Sequence, residues 1–135
     1  MKTPLTATIA SLLCSAAAFA EPLSEPDQAY IVLGLTAVRV MTECAGYEAV
    51  RDSMRKLGDQ IGVDPAVVRA VGQVVLMDSG LDYERSWLIP EVTRLMSDTD
   101  DGLSREQNES KRSFCKRWGD ALVEKGLIQN KVDGR

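Results

Sequence analysis

Residues 29–44 read AYIVLGLTAVRVMTEC, and only Arg39 and Glu43 in that stretch carry charge. Ile31, Leu35, Val38 and Met41 form a stripe at helical spacing, and Val32, Val40 and Cys44 widen it. A helix that is apolar on most sides needs cover from several neighbours. A start signal stands just before it. Ser24 can cap, Pro26 suits the first turn, and Asp27 falls at the positive end of the helix. The pattern predicts a chain folded around this helix.

The remaining segments supply the cover. A second helix is expected over Tyr47 to Gln60, because Val50, Met54, Leu57 and Ile61 recur on one face; Gly62 is its stop. Asp64-Pro65 opens a third helix, with Asp64 as cap and Pro65 at the first helical position. Its apolar residues are Val67, Val68, Val71, Val74, Val75 and Met77, and Gly80 ends it. A short helix over Tyr83–Leu88 follows. Pro90 interrupts it and starts a further turn or two carrying Val92, Leu95 and Met96.

Residues 97–102, SDTDDG, read as a solvated acidic loop. The last helix is expected to open at Ser104, where Ser-Arg-Glu-Gln matches a capping box. Phe114, Trp118, Ala121 and Leu122 form its buried side, and Gly126-Leu127 its end. No alternating strand pattern competes. The expected fold is all-α, a small single-domain bundle of four to six helices.

The first residues, MKTPLTATIASLLCSAAAFA, have the layout of a signal peptide. Lys2 supplies the positive region, an apolar segment follows, and Ala18-Phe19-Ala20 fits the small-x-small rule for cleavage after Ala20. Cys14 lies inside the apolar segment and leaves with it. The expected organisation is a signal peptide at 1–20, a helical domain at 21–128 and a loose C-terminal tail at 129–135. The expected location is the periplasm or the cell exterior, with no membrane span in the mature chain.

Export leaves two cysteines, Cys44 and Cys115, which an oxidising compartment would join. They lie far apart and form no Cys-x-x-Cys, so a structural bond is expected rather than a redox pair. It would pin the end of the first helix to the last one.

Composition excludes several functions. The chain has a net charge of −4 and no basic run, which disfavours nucleic acid and anionic lipid as partners. It contains no histidine, so Ser-His and Cys-His nucleophile pairs and histidine metal sites are absent. No phosphate-cradling glycine motif occurs. Residues 97–109 fit no register of a calcium loop. With Gly102 at the turn position, Asn108 occupies the place of the bidentate Glu. No metal and no cofactor is therefore expected. An enzyme would have to rely on carboxylates such as Glu43, beside Cys44.

The remaining candidates are surfaces. Tyr83 and Trp87 lie on an irregular segment before Pro90, where aromatics can anchor a partner. Asp98, Asp100 and Asp101 could meet a basic cleft. The first expectation is a small exported, non-catalytic protein-binding protein, in its sharpest form an immunity or inhibitor protein acting on another protein in the periplasm or outside the cell. A periplasmic holdase is the alternative, and a carboxylate-dependent enzyme the third. In outline the layout resembles small periplasmic acid-stress chaperones and immunity proteins against secreted cell-wall amidases, an analogy of architecture that transfers no residue.

Overall fold

The computed structural model describes residues 22–132. Among them are five α-helices, one 3₁₀ turn and a two-stranded sheet, in the order α1 (Glu25–Glu43), β1 (Tyr47–Ala49), α2 (Ser53–Ile61), α3 (Pro65–Asp78), the 3₁₀ turn Arg85–Trp87, α4 (Pro90–Glu109), α5 (Lys111–Glu124) and β2 (Ile128–Asn130). The chain is a helical bundle with one disulfide. The expected signal peptide with its cleavage site, and residues 133–135 of the tail, lie outside the described residues.

The apolar helix is the centre, but the expected stripe is not its buried face: Val38 is 55% exposed and Leu35 and Met41 are half-buried, because the neighbouring helices cover the side that carries Ile31, Ala37 and Val40. Ser24 caps α1 by accepting from the Asp27 amide at 3.3 Å. Ile31, Thr36, Ala37 and Val40 are buried along it. Two core clusters meet on α1. One joins Ala37, Val40 and Cys44 to Leu103 of α4, Phe114 and Leu122 of α5, and Leu127 and Ile128. The other joins Ile31 to Val67, Ala70 and Val74 of α3 and to Val92 and Met96 of α4. Helices α1 and α4 therefore serve both clusters. The Cys44–Cys115 disulfide ties the end of α1 to α5.

Buried Asp27 has a second role. Its carboxylate accepts from the Asp64 amide at 3.0 Å, fastening the start of α3 to the start of α1. The α3 cap is as expected, with Asp64 accepting from the Ala66 amide at 2.9 Å.

Three expectations about the elements are corrected. Tyr47–Ala49 is a strand rather than the start of the second helix. It pairs antiparallel with β2, Tyr47 opposite Asn130 and Ala49 opposite Ile128. Helix α2 begins only at Ser53, after Asp52 takes a left-handed conformation (φ 58°). The tail is consequently not loose from residue 129. Gln129 and Asn130 belong to β2, and the Lys131 amide donates to Gly46 at 2.9 Å.

The third correction concerns the acidic loop. Residues 97–102 are helical, and α4 runs through them without a break. Val92, Met96 and Leu103 are buried, and half-buried Thr99 lies between the last two. That spacing is helical, so Asp98 and Asp101 lie on the solvent side of one helix. Ser104 is an interior position of α4. The cap of the last helix is Ser110, whose Oγ accepts from the Ser113 amide at 3.3 Å.

Candidate functional site

The partner-binding candidates separate in space. Trp87 is exposed, and the Arg69 guanidinium of α3 lies 5.3 Å from its ring centroid. Tyr83, ahead of the 3₁₀ turn, is half-buried. Asp98 and Asp101 are exposed one turn apart on α4 and border a shallow depression with Ser104 and Arg105. Asp98 also borders a depression shared with Arg85, Leu88 and Pro90. Asp100 faces α1 instead, and its carboxylate forms an ion pair with Arg39.

Arg39 extends this contact into a network. It also donates to Gln107 Oε1 at 3.1 Å, and Gln107 Nε2 donates to Glu43 at 3.2 Å. Glu43 is exposed. The network clamps α1 to α4, which gives Asp100 and Glu43 a structural task. Among the described residues no three His, Cys, Asp or Glu side chains are placed to hold a metal ion, and no helix is long and apolar enough to cross a membrane.

A different surface has the character of a binding site. Helix α2 runs antiparallel to α1, with Met54 over Gly34 and Gly58 over Tyr30. A methyl group at Gly34 would lie 3.0 Å from Met54 Cε, and one at Gly58 would lie 3.5 Å from the Tyr30 ring. The two glycines let α2 sit close. Helix α3 leaves α2 at the Gly62 turn and packs on α4 and Ile31. The space between α2 and α3 is an open groove of about 680 Å³.

Tyr30, Met54, Val63, Pro65 and Val68 give the groove an apolar lining, and Arg55, Asp59 and Arg69 supply its charges. Burial pushes the Tyr30 phenol above its ordinary pKa, so the hydroxyl stays protonated. Val68 is 39% exposed, and Val75, seven residues on along the same helix face, is 51% exposed. Gly72 lies between them, with nothing within 4 Å of a Cβ placed there. With Pro65 and Ser79, these positions make an exposed, charge-free stripe along all of α3. At 1.5 Å per residue that stripe is about 20 Å long.

Sequence reasoning missed this groove because it named the apolar residues of α3 without dividing them between a buried and an exposed face. The available signal was the excess. Val67, Ala70 and Val74 already form a complete buried face, and Val68, Gly72 and Val75 fall outside it. Of the sequence-predicted residues, Trp87 adjoins the groove through Arg69, whereas the aspartates lie on α4. No family model, curated protein or solved structure matches the chain.

Proposed function

We propose that this is a small exported, non-catalytic binding protein, which holds a segment of another protein in the groove between α2 and α3. The observation that carries the reading is the apolar groove lined by Tyr30, Met54, Val63 and exposed Val68, with exposed Val75 two turns further along α3. Contiguous exposed apolar surface costs solubility, and its common use is recognition. The disulfide is consistent with export, since such bonds persist in oxidising compartments. An immunity or inhibitor role is the sharpest form of this proposal.

A capture experiment tests it. Oxidised protein, residues 21–135, is immobilised against periplasmic and secreted extracts beside two variants, Val68→Asp and Asp101→Lys. A partner retained by wild type and by Asp101→Lys but lost by Val68→Asp supports the groove. Equal retention by all three places binding elsewhere. Loss only with Asp101→Lys returns the acidic side of α4 to first place.

A further inference from the structure

We infer that the occupant of the groove is an amphipathic helix carrying a carboxylate beside its apolar face; this rests on the groove being the binding site. Two observations point there. The first is the nature of the walls. Helices α1, α2 and α3 spend their backbone hydrogen bonds internally, so the groove offers no strand edge to an extended peptide. A segment buried there must satisfy its own N–H and C=O groups, and a helix does. Val68, Gly72 and Val75 form a ridge with a gap at its centre, into which a facing helix can settle closely.

The second observation is charge. Arg55 pairs with Asp59 at 3.5 Å, within the groove's own lining. Arg69 has no carboxylate within 4.0 Å among the described residues, while its guanidinium rests against Trp87. The groove therefore holds one unbalanced positive charge in a chain whose net charge is −4. Stacking restricts the guanidinium before any partner arrives, which lowers the ordering cost of a charged contact. A carboxylate on the incoming helix would complete the pair, whereas an amine there would be repelled.

Two fluorescent peptides separate the possibilities. Both are amphipathic helices of about four turns with the same Leu/Ala face, one flanked by Glu and the other by Lys. Binding to the oxidised protein is read by anisotropy at low salt. The Glu peptide should bind at least about tenfold more tightly than the Lys peptide, and added salt should narrow the gap. Arg69→Gln should remove the preference, and Val68→Asp should weaken both peptides. Both variants change exposed residues, and circular dichroism checks their fold.

Equal binding of the two peptides overturns the carboxylate inference and leaves the groove intact. Binding of neither overturns the groove reading as well. A wild-type protein that sediments as a dimer, and as a monomer after Val75→Asp, assigns the α3 face to a second copy of the chain and overturns the partner helix.

Discussion

Gly119, buried in the interior of α5, gives a sharp test of the packing. A methyl group added there would lie 2.9 Å from Tyr47 Cε2, with the ring carbon Cζ and the hydroxyl closer still. Left to helix propensity alone, Gly119→Ala should stabilise the protein by about 1 kcal/mol. The contact opposes that gain. Tyr47 is half-buried on β1 and packs against the core. It must swing aside, forfeiting part of its burial, and overpacking of this kind costs about 1–3 kcal/mol. The expected net effect is a destabilisation of about 1 kcal/mol. Tyr47→Thr removes the ring and keeps a strand-forming residue. In that background Gly119→Ala should regain its stabilising sign, giving a coupling of about 2 kcal/mol between the two sites. Urea unfolding of the four proteins, followed by circular dichroism under oxidising conditions, measures each step. Additive effects, or a stabilising Gly119→Ala in the presence of Tyr47, would refute the proposed packing of β1 on α5.

Two other predictions concern covalent and alkaline stability. Cys44 and Cys115 are 71 residues apart, so replacing both by Ser should cost about 4 kcal/mol by loop-closure entropy, and a urea midpoint that barely moves would contradict it. Tyr30 has its pKa raised by burial, so its contribution is fully present below the unfolded value of about 10 and is lost as pH rises through the higher folded value; Tyr30→Phe should therefore lose less stability than wild type between about pH 8 and pH 11, and parallel losses would argue against a buried phenol.

The elements legible in the sequence are those whose signals are local. Ser24 and Asp64 mark helix starts through hydrogen bonds spanning two or three residues, and Pro65 marks one through its fixed φ at the first helical position. The apolar run of α1 declares its central place by composition. The small sheet was not legible, because Tyr47 finds its partner at Asn130 and no local pattern records that pairing. The acidic stretch misled for the opposite reason. Asp98, Asp100, Asp101 and Gly102 look like a turn when read as neighbours, but Met96, Thr99 and Leu103 continue the stripe begun by Val92. Position on the helix decided, not proximity to glycine. The groove needed the fold itself, since only the departure of α3 from α2 leaves Val68 and Val75 uncovered.

That departure also separates the proposed binding face from the residues that stabilise the fold. Helix α2 buries none of its residues fully, and the buried face of α3 is Val67, Ala70 and Val74. The two core clusters are held by α1, α4, α5, Leu127 and Ile128 at the start of β2, and that one side of α3. Val68, Arg69, Gly72 and Val75 stand on the opposite side and complete neither cluster. Exposed substitutions away from special features usually change stability by no more than about 0.5 kcal/mol. Selection for a stable bundle alone would therefore leave this face free to become charged, as the outer faces of α2 and α4 have done. The apolar Val68 and Val75 that it carries beside Arg69 are better explained by a requirement of contact than by one of folding, and the Val68→Asp variant tests that requirement without touching the core.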